Sequence, residues 1–265
     1  MRIKMIVTDL DGTFLYSDET LPQESIDIIN RCREKGVLFV VATSRSIASA
    51  KDITDVLKPD AIITSGGAKA ICGDKVIYDA VFSVEDSEAI IKKCISDRKI
   101  EYIRVTGAQY DLTNNPAVGS SEMEYGHYKK TDFQVIPKQR ISKITICSSN
   151  IEHINEMFEE DGQCCVIASY SGENFHKLSH SKATKEDALA EVAKYFGVRF
   201  KDILSFGDDT SDVNMLRLSE IGVAVDNAKQ HVKDVADCIC DSNDKRGVIN
   251  YLVDNFEYLF DEVVS

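Results

Sequence analysis

The sequence predicts an α/β protein in which both ends of the chain build one parallel sheet and a smaller α/β domain is inserted between them. Three observations carry this. In the opening third, short apolar runs alternate with amphipathic helical segments, the signature of strands buried on both faces by crossover helices. After Ser83 that pattern gives way to a differently spaced one, and near Lys185 the first alternation resumes. The expected boundaries are 1–82 and 182–265 for the core and 83–181 for the insertion.

The elements follow in order. Ile3 to Thr8 reads as the first strand. Pro22 to Lys35 reads as a helix, with Pro22 at its first helical position, Ile26, Ile29 and Cys32 on one face, and Gly36 as the stop. Val37 to Ala42 is a strand, Ile47 to Leu57 a helix and Ala61 to Thr64 a strand, with Asp60 and Gly66-Gly67 as punctuation. In the insertion, a helix is expected over Ser87 to Asp97 and a strand over Ile100 to Val105. A polar stretch from Gly107 to Lys130 follows. Strands Ile144 to Cys147 and Cys164 to Ala168 then flank a helix near Ile151 to Glu159. The return begins with a helix carrying Ala188, Leu189, Val192, Ala193 and Phe196 and ending at Gly197. Strands Ile203 to Phe206 and Ile221 to Val225 come next.

Composition narrows the function. The chain has 265 residues, 43% hydrophobic and 28% charged, enough apolar matter for a packed core and too much for disorder. Apolar stretches such as Val37 to Ala42 fall far short of the roughly 20 residues that cross a bilayer, so no membrane partner is expected. The initial MRIKMIV run is cut off at Asp9 before a signal-peptide core can form, and a cytoplasmic location is expected. Eight cysteines, at 32, 72, 94, 147, 164, 165, 238 and 240, include no CxxC pair, and they read as small core residues of a reducing compartment. A net charge of -13 opposes binding to a phosphate backbone, so no nucleic acid is expected and a small ligand is. Nothing here reads out an oligomeric state.

The strongest chemical signal is Asp9-Leu10-Asp11-Gly12-Thr13 at the carboxyl end of the first strand, where open α/β sheets bind ligands. Two carboxylates one residue apart repel unless a cation or proton lies between them, so the pair calls for a metal. An isolated Asp-Gly would only make a turn. Gly207-Asp208-Asp209-Thr210-Ser211-Asp212 follows another strand in the same way, and the two clusters together offer the hard oxygens that Mg²⁺ prefers. Asp209 and Ser211 could instead cap the next helix while Asp208 faces the ion. At a third strand end stand Thr43, Ser44 and Arg45, opening a helix. This is a natural phosphate site, although Ser or Thr at a helix start is ordinary.

These segments resemble the haloacid dehalogenase superfamily, and the large insertion resembles that of its Cof-type, C2-capped sugar-phosphatase branch. The first motif, DxDGT, is met in full by Asp9 to Thr13. The second, ATGR, reads Ala42-Thr43-Ser44-Arg45. The third, KxxAL, is Lys185-Glu186-Asp187-Ala188-Leu189. The fourth, GDxxND, is met by Gly207, Asp208 and Asp212. Ser44 departs from a usual Gly, Gly66 and Ser211 from usual Asn residues, and AMGNA reads Ala224-Val225-Asp226-Asn227-Ala228.

The resemblance implies a Rossmann-like core with helices on both faces of the parallel sheet and a C2-type cap. It implies a Mg²⁺-dependent phosphatase acting on a small phosphorylated metabolite, a sugar phosphate or nucleotide-like monoester, through an aspartyl-phosphate. Asp9 would be the nucleophile and Asp11 the general acid and base. Asp9, the Asp11 carbonyl, Asp208 and Asp212 would serve the metal. Thr43, Ser44, Lys185 and Ser211 would hold the phosphate. The inserted domain would be a lid whose inner face selects the leaving group, with Gly107 to Lys130 and Tyr170 to His180 as candidate segments. The histidines show no metal or triad spacing; His127, His176 and His180 could face substrate or solvent. Tyr102, Tyr110, Tyr125, Tyr128 and Phe133 are more readily cap core or surface than a sugar platform. A phosphomutase of the same superfamily is the nearest alternative, and a non-catalytic phospholigand sensor is another, motivated by Ser44, Gly66 and Ser211.

Overall fold

The computed structural model describes residues 2–107, 111–117, 128–162, 164–168 and 174–260, with no side-chain description at 165–168. The chain packs as two compact units, one of residues 1–78 with 184–265, the other of 79–183. The first unit opens with β1 (Met5–Thr8), α1 (Gln23–Glu34), β2 (Leu38–Ala42), α2 (Ile47–Leu57), β3 (Ala61–Thr64), β4 (Lys69–Cys72) and β5 (Lys75–Asp79). The second holds α3 (Val84–Ser96), β6 (Tyr102–Gly107), β7 (Asp111–Thr113), β8 (Tyr128–Lys130), β9 (Ile141–Cys147), α4 (Ile151–Phe158), β10 (Cys164–Ala168) and β11 (Phe175–His180). The chain returns to the first unit through α5 (Lys185–Phe196), β12 (Ile203–Gly207), α6 (Val213–Leu218), β13 (Ile221–Val225), α7 (Gln230–Lys233), β14 (Cys238–Cys240) and α8 (Gly247–Asn255).

The first unit's sheet runs β14-β13-β12-β1-β2-β3-β4-β5. From β14 to β3 every pairing is parallel, and β1 lies between β12 from the far end of the chain and β2. Alternate residues of β1 feed two apolar layers. Ile6 packs with Phe39, Leu204, Phe206 and Leu252 on one face, while Met5 and Val7 pack with Val40, Leu189 and Val192 on the other. Each such buried aliphatic side chain contributes about 1.5–3 kcal/mol. This two-sided burial is why the strands read as continuous apolar runs.

The sheet is not wholly parallel. β4 pairs antiparallel with β3, because residues 65–68 between them form a tight turn, and a parallel return needs a crossover of about a dozen residues or more. Helix α1 begins one residue later than its Pro suggests, with Pro22 in extended conformation just outside it. Ser46 caps α2 by accepting from the Ser49 N–H.

The second unit's sheet runs β10-β11-β9-β6-β7-β8, antiparallel except between β7 and β8. Ile90, Ile91 and Cys94 of α3, with Ile154 and Phe158 of α4, pack against Ile103, Val105, Ile144, Ile146 and Leu178 of the sheet. Helix α3 starts at Val84, ahead of the expected Ser87, because Ser83 accepts from the Asp86 N–H as its cap.

Two candidate specificity segments prove to be partly regular structure. Phe175–His180 is β11, paired on both sides, with Leu178 in the apolar layer. His176 is buried with Nε2 2.7 Å from the Ser148 carbonyl, and the His180 ring packs 5.6 Å from Phe82, so neither is a free solvent-facing group. The 107–130 stretch contributes β7 and β8. Its residues 108–110 and 118–127, with Tyr110, Tyr125 and His127, lie outside the described residues, as do 170–173. Phe133 is core, and the Tyr102 ring meets Phe175 edge-on at 6.2 Å.

Candidate active site

The site is built where β1, β2 and β12 end side by side. Beyond β1, the Asp9 N–H donates to the Phe206 carbonyl at 3.1 Å, which ties the first acidic residue to β12. The chain then turns through Leu10–Phe14, closed by the Leu15 N–H donating to the Leu10 carbonyl at 2.9 Å. Gly12 has a φ of +75°, and a Cβ there would lie 2.8 Å from Asp208 Oδ2. Both the backbone angle and the approach of that carboxylate require glycine. The adjacent Thr13 hydroxyl donates to Asp208 Oδ1 at 2.7 Å, so DxDGT orients the second acidic cluster as well as carrying the first.

After β12, Asp212 folds back. Its Oδ2 accepts from the N–H groups of Asp208 and Asp209 at 3.2 and 3.1 Å. Asp209 in turn caps the short turn that follows, accepting from the Thr210 N–H at 2.6 Å. Asp209 thus caps this turn, and Asp208 lies in the carboxylate cluster with Asp9 and Asp212.

Lys185 is the first residue of α5, whose start is fixed by Thr184 accepting from the Asp187 N–H at 3.2 Å. The loop after β3 presses on this point, since a Cβ at Gly67, whose φ is +99°, would fall 2.0 Å from the Thr184 carbonyl carbon. Lys185 is 2% exposed, and its ammonium donates to Asp9 Oδ1 at 2.7 Å and to Asp212 Oδ1 at 2.6 Å.

Asp9, Asp208 and Asp212 each offer an oxygen within 4.8 Å of the others. Three carboxylates against one ammonium leave an excess of negative charge in a mostly buried space. The titration shifts express it. Burial pushes Asp9 well above the usual carboxylate range, with Lys185 opposing and Asp212 and Asp208 adding to the push. Asp208 is raised to about 6 by burial, against its Thr13 hydrogen bond and with help from Asp212. Burial disfavours the Lys185 ammonium, but Asp212 and Asp9 outweigh it and hold the lysine above its ordinary value. The carboxylates therefore hold their protons more readily than free ones, a second cation would relieve the excess charge, and an all-oxygen donor set suits a hard divalent ion.

The other expected residues are placed differently. The Asp11 carboxylate is exposed and lies outside the cluster. Arg45 donates to it through Nε, at 3.0 and 2.9 Å to its two oxygens, and Nη2 also reaches Glu19 at 2.9 Å. Thr43 is buried at the end of β2, with its hydroxyl accepting from the Arg45 N–H at 3.1 Å and its carbonyl accepting from the Gly66 N–H at 3.0 Å. Ser44 and Ser211 are half-buried beside Thr43 and Asp212. The sequence assigns Thr13 no role and sets Arg45 with Thr43 and Ser44 at a phosphate site, whereas the guanidinium pairs with Asp11; it also does not show Gly67 as the residue that lets the loop reach Lys185.

A model of the haloacid dehalogenase-like hydrolases matches residues 6–252. The chain is 25% identical over 250 residues to the 5-amino-6-(5-phospho-D-ribitylamino)uracil phosphatase YcsE of Bacillus subtilis (strain 168), covering 93% of each. Its fold is similar to that of the phosphatase BT1666 of Bacteroides thetaiotaomicron, with a TM-score of 0.81 at 22% identity over 96% of this chain and 95% of that one. The subclass IIB sugar phosphatase BT4131 gives 0.77 at 22% identity, over 95% and 98%. The chain belongs to the haloacid dehalogenase-like hydrolases. Within that family it is an enzyme, and the relatives it matches are named phosphatases.

Proposed function

We propose that this enzyme is a Mg²⁺-dependent phosphatase that hydrolyses a small phosphorylated metabolite, a sugar phosphate or nucleotide-like monoester, through a phosphorylated Asp9. The observation that carries the reading is the buried Asp9 carboxylate, held by Lys185 and set against Asp208 and Asp212 with more negative charge than one ammonium balances. Asp9, Asp208, Asp212 and the Asp11 carbonyl would hold the ion, which when bound offsets the repulsion between a phosphate dianion and Asp9.

An Asp9 oxygen attacks phosphorus as the bond to the leaving oxygen breaks, forming an acyl phosphate. Asp11 gives its proton to the departing alkoxide, then takes one from the water that attacks the acyl phosphate, and inorganic phosphate leaves. For that transfer an Asp11 oxygen has to be released from Arg45. Lys185 fixes the direction of the Asp9 carboxylate, and Thr43, Ser44, Lys185 and Ser211 receive the phosphoryl oxygens. The core comprises residues 1–82 and 182–265 with 83–181 as the cap that selects the leaving group, and the enzyme works in the cytoplasm, where thiols stay reduced. The test is phosphate release from sugar phosphates, nucleotides and an aryl phosphate, with Mg²⁺ or EDTA, by wild type and Asp9→Asn. Metal-dependent release that Asp9→Asn loses is expected. Release unaffected by that substitution, or none from any compound, overturns the reading.

A further inference from the structure

The turn that carries Asp11 is bonded at its middle residue and just past its end to two asparagines from distant parts of the same unit. Asn227, just beyond β13, donates through Nδ2 to the Gly12 carbonyl at 2.6 Å. Its Oδ1 accepts from the Asn243 N–H at 3.0 Å. Asn243, buried beyond β14, donates through its own Nδ2 to the Leu15 carbonyl at 3.0 Å. The chain of bonds thus runs from Gly12 through Asn227 and Asn243 to Leu15, bridging the second half of the turn from outside. A third tie continues it, as the Ser17 N–H and hydroxyl both donate to Asp244 at 2.8 Å.

Gly12 needs such a tie. Glycine has the most backbone freedom of any residue, and here it immediately follows the residue whose carbonyl and carboxylate the reaction needs held. Its left-handed angle also places it against Asp208. The Leu10–Leu15 bond closes the turn, and the Gly12 carbonyl is met from outside it by Asn227. The Asn227 amide supplies both the donor for the Gly12 carbonyl and the acceptor for the Asn243 N–H.

We propose that Asn227, backed by Asn243, is a positioning residue that holds the Asp11–Gly12 main chain, and with it Asp11, in reacting geometry. The proposal rests on the phosphatase reading for the role of Asp11, and on the hydrogen-bond chain for the rest. Asn227 is exposed and outside the core, so replacing it acts on the turn and leaves the apolar layers intact.

The experiment compares wild type with Asn227→Ala and Asn227→Asp. Asp retains the acceptor for Asn243 but loses the donor to Gly12, which separates turn positioning from mere tethering of the 243 loop. The measurements are kcat and KM for phosphate release from an aryl phosphate, Mg²⁺ affinity by calorimetry, and Tm. Both variants are expected to lose about 10- to 100-fold in kcat, the scale of a misplacement of about an ångström. KM should stay within about threefold, and Mg²⁺ affinity should weaken severalfold because the Asp11 carbonyl is no longer held. Wild-type kcat and Mg²⁺ affinity in Asn227→Asp would overturn the proposal, as would losses that merely track a fall in Tm. A wild type that releases no phosphate would sink the phosphatase reading alone; the brace is then judged by Mg²⁺ affinity, and unchanged affinity in both variants rejects it.

Discussion

The Lys185 ammonium lies 2.7 Å from the Asp9 carboxylate although 176 positions of sequence separate them. The pair is buried, and a second carboxylate, Asp212, shares the lysine at 2.6 Å. Removing one partner of a buried ion pair costs about 3–5 kcal/mol, because the charge left behind has neither water nor partner. Lys185→Met is therefore expected to lower stability by several kcal/mol in EDTA, with much of the loss recovered in Mg²⁺. Its kcat should fall by about 10²- to 10³-fold, the scale seen when one charge-stabilising donor is lost. Thermal unfolding with and without Mg²⁺ checks the first statement and steady-state kinetics the second; a Tm indifferent to the ion would contradict it.

Stability of the metal-free enzyme should depend on pH with an unusual sign. Burial raises Asp208 from 3.8 to about 6 in the folded protein, and Asp9 is raised for the same reason. Between those values the folded state binds more protons than the unfolded one, so stability falls as pH rises. From pH 4 to pH 7 Asp208 alone should remove on the order of 2–3 kcal/mol. Denaturant unfolding in EDTA at pH 5 and pH 7 measures this. Saturating Mg²⁺ should flatten the dependence by supplying the missing positive charge.

Gly67→Ala is expected to be severe for a reason remote from the chemistry. The new Cβ would occupy the space of the Thr184 carbonyl carbon, 2.0 Å away, at a φ of +99°. Backbone cannot yield as a flexible side chain can, so the loop after β3 and the start of α5 must separate, carrying Lys185 with them. A loss of about 2–4 kcal/mol and a fall in kcat exceeding that of Gly73→Ala should result. Gly73 has open space around its Cβ direction, and equal behaviour of the two variants would reject the argument.

Calcium should inhibit. Its larger and less rigid oxygen shell fits the same carboxylates while relaxing the octahedral geometry that Mg²⁺ imposes. Phosphate release is expected to fall as Ca²⁺ replaces Mg²⁺ at constant ionic strength, and to return when Mg²⁺ is added in excess. Full activity with Ca²⁺ alone would show that the site tolerates either shell.

Much of the architecture was legible because burial writes itself into the chain. The runs at Ile3 to Thr8, Val37 to Ala42 and Ile203 to Phe206 are mostly apolar because both faces of the sheet are covered, and each contains a strand. What escaped was local and two-sided in character. β4 and β5 are short, half-buried strands at the sheet edge, without the continuous apolar run that marks the centre. Phe175–His180 carries only two apolar residues, Phe175 and Leu178, three apart, so it lacks the alternation of a strand, and only β9 and β10 on either side show it to be one.

At the site, the sequence by itself determined which groups are present: Asp9, Asp11, Lys185, Asp208 and Asp212, each at the end of a strand or the start of a helix. Their motifs are short because each is held by its own local turn or cap. Only the tertiary structure decided which of these groups share a charge. It sends the Asp11 carboxylate out to Arg45, gathers Asp208 and Asp212 around Asp9, and gives Asp9 and Asp212 the same lysine. No residue near Asp9 in the sequence signals that sharing, because the partners come from opposite ends of the chain and meet only when β12 pairs with β1 and Gly67 lets the β3 loop close on the first turn of α5.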